Sequence, residues 1–170
     1  MKPYPTADEI RRFLDYCPET GVFVWRHRHN NPAFNKRWSG NVAGKVTAYG
    51  YIQIRMMLEQ YMAHRLAWIL LNDKEPMADI DHINLNRSDN RAVNLRACTR
   101  SENKANTLPP ITNPSGPKGV NWLAKARKSR ARIKVMGREK HLGLFSTKEE
   151  AAAAYRAAAT EHFGQFARAA

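Results

Sequence analysis

The stretch that decides the fold is DIDHINLNRSDNRAVNLRACTRSENKAN, residues Asp79 to Asn106. Its first residues, Asp79 to His82, predict a short strand. Asn84 to Arg91 predict a turn-rich loop, because Asn, Ser and Asp side chains bond their own backbone. VNLR, Val93 to Arg96, predicts a return strand, and a helix follows. The order is therefore strand, loop, strand, helix.

Thr99 and Glu102 form the pattern of a capping box, which predicts a helix start with Asn103 in the first turn. Folding the strands back brings Asp81 near this helix, so we expect Asp81 and Asn103 to face each other. A carboxylate and an amide carbonyl are hard oxygen donors, which suit magnesium or manganese and do not suit zinc. The pair predicts a divalent-metal site that leaves room for water and phosphate oxygens.

His82 follows the predicted metal ligand and can take a proton from water, because its ordinary pKa of about 6.5 lies near working pH. Asn94 is placed to hold the histidine ring through its side chain or its backbone. Asn84, Asn86 and Asn90 are interpreted as turn residues only. Together these residues predict a hydrolase of phosphodiesters.

The charge of the whole chain points to a polyanionic partner. The 170 residues include 28 Lys and Arg against 15 Asp and Glu, a formal net charge of +13, and such a surplus most often serves nucleic-acid binding. Residues 108–170 carry 12 basic and 4 acidic side chains. A merely soluble cationic surface is the alternative.

Composition also limits the compartment and the class. The longest apolar run outside repetitive sequence, Ala67 to Leu71, is far too short for a membrane span, so we expect no membrane partner. Cys17 and Cys98 lie far apart and outside any Cys-x-x-Cys pair, which argues against a zinc cage or a disulfide framework. With no secretory signal at the N-terminus, we expect a cytoplasmic protein.

Several elements are predicted upstream of this stretch. His64 lies beside the apolar stripe of the predicted helix over Met62 to Asn72, and we interpret it as a hydrogen-bonded core histidine in preference to a catalytic one. The predicted polar loop over His27 to Asn41 is basic and suits either contact with phosphates or simple exposure to solvent. The predicted elements are a helix over Thr6 to Tyr16, a strand over Val22 to Trp25, a polar loop over His27 to Asn41, a strand over Tyr49 to Leu58 and a helix over Met62 to Asn72.

A proline-rich segment, TLPPITNPSGPKG (Thr107 to Gly119), predicts a linker. We therefore expect domains at residues 1–107 and 119–170, joined by a linker at 108–118. The second domain is predicted to contain a three-stranded sheet and one helix, with strands over Gly119 to Trp122, Arg130 to Val135 and Lys140 to Phe145, and the helix over Thr147 to about His162. Ser146, with Glu149 three residues later, is predicted to open this helix.

The middle strand of that sheet alternates. Ala131, Ile133 and Val135 would face the helix, and Arg130, Arg132 and Lys134 would face the other way. A sheet with such a row of cations can enter a DNA major groove. A solvated edge is the plainer alternative.

The first domain resembles the HNH endonucleases over about residues 8–107. The matching pieces are DHIN, NRAVNLR and TRSEN in a ββα-metal motif at about 78–106, with PETGVFVW, AGKV, YGYIQI and AHRLAW upstream. The resemblance implies that Asp81 and Asn103 bind the metal, that His82 is the general base, and that Asn94 orients it. Similar proteins are phage-encoded and homing-type, which would place this one in a bacterial host cytoplasm.

The C-terminal part, about residues 117–167, resembles the ethylene-response-factor (Apetala-type) DNA-binding domain through KGVNW, RARIKV, HLGLFSTKEEAAAAY and FGQFA. The resemblance implies duplex DNA contacts by Asn121, Trp122, Arg130, Arg132, Lys134 and His141. Asn121, Glu139 and His141 depart from the family's basic or aromatic positions, so no target sequence transfers, and Glu139 would repel phosphate.

The sequence therefore predicts an α+β protein: an N-terminal HNH ββα-metal nuclease domain, a Pro-rich linker and a small C-terminal three-stranded antiparallel sheet packed on one helix. The predicted function is metal-dependent cleavage of double-stranded DNA. A non-catalytic DNA-binding regulator that keeps the ββα fold is the alternative, and RNA binding or cleavage is a third interpretation. We expect a monomer, and a dimer is compatible with the sequence.

Overall fold

The structure, a computed structural model, describes residues 4–108 and 116–168. The chain divides into two compact units, Met1–Ala97 and Cys98–Ala170. Residues 109–115 of the predicted linker lie outside the described residues, so the linker and the domain boundaries drawn from it stay predictions. Within the described ranges, no helix has the length and apolar character needed to cross a membrane.

The first unit combines short helices with small antiparallel sheets. The elements in chain order are α1 (Ala7–Arg11), β1 (Leu14–Cys17), β2 (Val22–Trp25), α2 (Pro32–Trp38), β3 (Lys45–Val46), β4 (Ile52–Met56), β5 (Glu59–Met62), α3 (Ala63–Asn72), β6 (Asp79–His82) and β7 (Leu95–Cys98). β1 pairs with β2, β4 lies between β3 and β5, and β6 pairs with β7.

The core of this unit forms around α3, whose apolar face supplies Leu66 and Ile69. Ile10 of α1 and Ile54 of β4 pack into the same buried cluster, as does Ile80 of β6. Burial of such side chains is the main favourable term in folding. Because β6 is anchored in this core through Ile80, the polar residues that follow Ile80 start from a rigid position.

The predicted helix over Thr6 to Tyr16 is too long. Thr6 and Glu9 do form a capping box, but the helix ends at Arg11, and Leu14–Cys17 forms β1 against β2. Gly21 lies in the turn between these strands with φ +72°, and a Cβ there would meet the backbone of Asn90 and Arg91. The hairpin forms in place of the longer helix because its turn at Gly21 packs against Asn90 and Arg91, which are distant in the sequence.

The polar loop predicted over His27 to Asn41 contains a helix, α2. Asn31 caps it by accepting a hydrogen bond from the Phe34 amide, and Pro32 occupies its first turn. Proline is pre-organised for that position because its φ is already helical. Phe34 packs edge-on against Trp25, with ring centroids 5.6 Å apart. This contact holds in place a segment that we predicted to be an irregular loop.

The central strand–loop–strand prediction is confirmed in outline and corrected in detail. β6 spans the predicted Asp79–His82, but Ala92–Asn94 forms a 3₁₀ turn and the return strand β7 begins only at Leu95. Asn94 therefore lies on the turn before the strand. The backbone amide of Ile83 donates a hydrogen bond to the backbone carbonyl of Asn94 at 3.0 Å.

The second unit contains the C-terminal sheet and its helix. The elements of this unit are α4 (Arg100–Asn106), β8 (Val120–Leu123), β9 (Lys128–Val135), β10 (Arg138–Phe145) and α5 (Lys148–Phe163). The predicted three-stranded antiparallel sheet packed on one helix is confirmed, with β9 in the middle, between β8 and β10.

Small residues bring α5 close to the sheet. Ala151 and Ala158 are buried against the apolar side of β9, where Ala131 and Ile133 lie. The helix is capped by Thr147 with Glu150, one residue later than the predicted Ser146 and Glu149. The capping position moves because Phe145 is the last residue of β10, so two residues are needed to leave the strand.

The helix α4, which closes the predicted ββα motif, packs within the second unit. Its Ala105 belongs to a buried cluster with Ile133, Tyr155 and Phe163. The Lys118 ammonium caps the carboxyl end of α4 by donating to the carbonyls of Lys104, Ala105 and Thr107 at 2.7 to 3.0 Å. Burial among these groups lowers the pKa of Lys118 to about 8.

Candidate active site

β6 delivers two buried polar residues side by side. Asp81 and His82 end the strand and are both almost fully buried. Consecutive strand residues point to opposite faces, so the carboxylate and the imidazole are directed apart. Asp81 Oδ2 pairs with Arg96 of β7, 2.9 Å from Nε and 2.8 Å from a terminal nitrogen. The guanidinium places two nitrogens on one carboxylate oxygen, and this charge-assisted contact restrains the orientation of the carboxylate.

His82 contacts Asn90, which the sequence had assigned only to a turn. His82 Nε2 lies 3.3 Å from Asn90 Oδ1, and the Asn90 amide nitrogen donates to the Ser88 carbonyl. Asn90 is 1% exposed. An amide oxygen can only accept, so in this contact the proton is on Nε2. The interpretation of Asn90 as a plain turn residue was therefore incomplete.

Burial sets the protonation state of His82. It lowers the pKa of the imidazole below 6.5, while the hydrogen bond that His82 donates to Asn90 and the nearby carboxylate of Asp81 oppose the shift without reversing it. The imidazole is therefore neutral near pH 7 and keeps one nitrogen as a proton acceptor.

Asn94 holds the loop that follows β6. Its side-chain nitrogen donates to the Asp89 carbonyl at 2.7 Å, and its side-chain oxygen accepts from the Asn84 amide at 3.0 Å. The backbone carbonyl of Asn94 also accepts a hydrogen bond from the Ile83 amide. Asn94 is therefore hydrogen-bonded to both ends of the loop. Its predicted role in orienting His82 stays a prediction.

Asp89 fastens the far end of the same loop. Both of its carboxylate oxygens accept from the Arg91 guanidinium, and one also accepts from the Asn84 side chain. These hydrogen bonds, above all those from Arg91, lower the pKa of Asp89 to about 2. The loop is thus ordered by ionised groups over the whole neutral range.

The β1–β2 hairpin contacts the loop that follows β6 and holds it in place. Tyr16 Oη donates to the Asn90 carbonyl at 2.8 Å, and the Ala92 amide donates to the Pro18 carbonyl at 2.9 Å. With the close approach of Gly21, these contacts position Asn90. Burial raises the pKa of Tyr16 to about 12, so this donor keeps its proton.

A second histidine lies against the first. His64 of α3 meets His82 edge to face, with ring centroids 5.1 Å apart, and Tyr51 contacts both rings at 5.4 and 6.0 Å. His64 is buried, as predicted, but the predicted hydrogen bond is not found at its Nδ1, which has no partner within the described residues. Burial, with smaller effects of His82 and Arg65, lowers the pKa of His64 to about 3. The sequence signal for this contact was the position of His64 at the edge of the apolar stripe.

Asn103 lies half-buried on α4, which the predicted capping box of Thr99 and Glu102 opens. The amide of Asn103 donates to the Thr99 carbonyl at 2.9 Å. Asp81 and Asn103 belong to different compact units, and their predicted meeting stays a prediction. As donors they fit a hard divalent cation, because one is a buried carboxylate and the other offers an amide oxygen.

On the C-terminal sheet, strand pairing assembles most of the predicted DNA-contact residues. Asn121 pairs with Arg130, and Arg132 pairs with His141. Directly paired residues share a face, and Lys134 lies on that face by alternation. Trp122 pairs with the buried Ser129 and is directed to the opposite face.

Two contacts organise this cationic face. Arg130 donates to the Asn121 side chain at 3.2 Å, and Arg132 pairs with Glu139 at 2.9 Å. Glu139, opposite Lys134 in the register, brings a negative charge into the row. The face therefore keeps its positive charge at Arg130 and is partly neutralised towards Arg132 and Lys134.

Comparison with known proteins finds a family model that matches part of the chain. Residues 61–105 match the family model described as HNH endonuclease, which spans β5 through most of α4 and includes Asp81, His82, Asn94 and Asn103. The match supports an HNH nuclease, and a nuclease acts on nucleic acid. Neither the curated proteins nor the solved structures contain a significant match to this chain.

Proposed function

We propose that the protein is a divalent-metal-dependent DNA endonuclease with His82 as its general base. The observation that carries the proposal is a buried, neutral imidazole beside a buried carboxylate at the end of β6, within the segment that matches the HNH model. This pairing suits hydrolysis of a phosphodiester, where water must lose a proton near bound negative charge.

His82 would accept the proton at Nδ1. The contact with Asn90 Oδ1 assigns the ring proton to Nε2, so Nδ1 is the acceptor of the neutral ring. Asn90 would hold the ring and stabilise the imidazolium once the proton has moved. Asn94 would act through the loop, by fixing the backbone on either side of the histidine.

Asp81 and Asn103 would hold a magnesium or manganese ion. When bound, such an ion supplies positive charge to the phosphate and to the oxygen that leaves. Arg96 keeps the Asp81 carboxylate oriented. The chain's own contribution here is a fixed, buried oxygen donor.

The C-terminal sheet would bind the duplex through Asn121, Arg130, Arg132, Lys134 and His141. Their common face and its cations support this assignment, whereas Trp122 would contact DNA only from the other side of the sheet. Phosphate contacts of this kind make affinity fall steeply with salt. A monomer in a bacterial cytoplasm remains our prediction.

The test is cleavage of a supercoiled plasmid with magnesium by wild type, His82→Ala and, as a matched histidine control, His162→Ala. We expect loss of cleavage in His82→Ala with duplex affinity retained, and normal cleavage in the control. Cleavage by His82→Ala at the wild-type rate would refute the assigned base. Tight binding without cleavage by wild type would favour the non-catalytic regulator, and preference for RNA over duplex DNA would favour an RNA substrate.

A further inference from the structure

The first unit has a cavity of about 450 Å³ outside the proposed active site, bordered by β2, α2 and the β4–β5 hairpin. One wall is aromatic. Trp25 and Phe34 meet at 5.6 Å, and Trp38, at the carboxyl end of α2, lines the cavity with 42% of its surface exposed. The Arg37 guanidinium lies 5.0 Å from the Trp38 ring centroid. An exposed aromatic ring beside cations is the usual platform on which a nucleic-acid base stacks.

Among the residues that the structure describes, no Asp or Glu lines this cavity beside its cations. Lys45 and Arg55 are exposed in its lining, and Arg28 lines it with its guanidinium 3.6 Å from the Phe34 ring. No Asp or Glu occurs anywhere from Thr20 to Leu58, a segment that carries six Lys and Arg. The occupant that this charge favours is an anion.

The turn between β4 and β5 closes the cavity with two apolar residues in a strained conformation. Met56 pairs with Glu59, so Met57 and Leu58 form a two-residue turn, with φ of 54° and 65°. Positive φ at both positions normally selects Asn-Gly or Asp-Gly. Leu58 is nevertheless 88% exposed, and both side chains line the cavity. Exposed apolar residues held in strain at a tip are poorly explained by stability alone.

We propose that the Met57–Leu58 tip and the Trp38 cavity form a base-unstacking site for duplex DNA. The tip enters between two base pairs as an apolar wedge, the displaced base stacks on Trp38, and Lys45 and Arg55 contact the flanking phosphates. Apolar side chains inserted at base steps unstack and kink DNA in this way. Because stacked bases hide their faces, an aromatic cavity is useful only for a base that has left the stack. The inference rests on the proposed DNA substrate and assigns a second contact region to it.

The experiment uses the full chain with His82→Ala, so that cleavage plays no part, and duplexes that carry 2-aminopurine at successive positions. Unstacking raises the fluorescence of this base. We expect a rise of several fold at one position at saturating protein. The test variant is Met57→Asn with Leu58→Gly, which supplies the turn's preferred residues and should raise the melting temperature by about 2–4 °C. The fluorescence rise should disappear in this variant and in Trp38→Ala.

The matched control is Met136→Asn, an exposed methionine with φ 48° at the β9–β10 turn, which should keep the full signal at saturation. Three outcomes would overturn the inference: no signal with wild-type tip residues, an undiminished signal in the Asn-Gly variant, or equal loss in the control. A dimer that dissociates in the Asn-Gly variant would assign the tip to self-association instead. Plasmid cleavage by the chain with intact His82 is measured separately, so failure of the wedge and failure of the nuclease are distinguished.

Discussion

His82 Nε2 and Asn90 Oδ1 lie 3.3 Å apart in a buried setting, eight residues from each other in sequence. Asn90 is in turn held by Tyr16 and by the turn at Gly21. The orientation of the proposed base therefore depends on a hairpin far from it in the chain.

Asn90→Ala should reduce cleavage by at least about tenfold, because a misoriented base loses most of its advantage, and should lower the free energy of unfolding by about 1–3 kcal/mol through the unpaired groups left behind. Single-turnover cleavage and urea unfolding measure the two effects. Asn86→Ala, which removes only exposed turn bonds to Ser88, is the control and should cleave normally. Equal losses in both variants would remove Asn90 from the site.

Arg96→Leu should be strongly destabilising. It would leave the Asp81 carboxylate buried without its ion pair, since the two side chains are only 13% and 5% exposed, at a cost of about 3–5 kcal/mol. Arg11→Leu, which breaks an exposed pair with Asp73, should cost no more than about 1 kcal/mol. Denaturant titration of both variants measures the loss in the free energy of unfolding. Similar losses would mean that the buried pair contributes no more to stability than the exposed pair.

Acid should destabilise the fold through His64. Its pKa is about 3 in the folded chain, against about 6.5 unfolded. The unfolded state therefore binds the extra proton, and stability that is complete above pH 6.5 falls as the pH drops towards 3, by at most about 5 kcal/mol. His64→Gln should flatten this part of the curve of unfolding free energy against pH. An unchanged slope would show that His64 is not held neutral.

Glu139→Gln should strengthen duplex binding. The carboxylate pairs with Arg132 and lies opposite Lys134, so its removal frees Arg132 for phosphate and takes a negative charge away from the strand position opposite Lys134. We expect a roughly threefold to tenfold gain in affinity and a salt dependence steeper by about one unit of slope. Glu161→Gln, a carboxylate change on α5, is the control. Fluorescence anisotropy at several salt concentrations measures both quantities, and no gain would indicate that this face does not meet DNA.

The local elements were predictable because short-range chemistry specifies them. The Thr99–Glu102 capping box, the β6 strand and the alternation of β9 between buried Ala131 and Ile133 and outward Arg132 all follow from residues within a few positions of each other. The prediction of a helix over Thr6 to Tyr16 was wrong for the opposite reason. Its second half pairs with β2, and the pairing is stabilised by contacts that a local pattern does not contain.

By itself, the sequence determined which residues bring the chemistry: a carboxylate and a histidine on one strand, asparagines around them, and a separate row of cations. Only the tertiary structure decided that Asn90 is buried against His82, that His64 packs on the same ring, and that α4 packs with the C-terminal sheet. The physical reason is that burial is a property of distant segments meeting. Burial also shifts the histidine pKa values and converts a turn residue into part of the site.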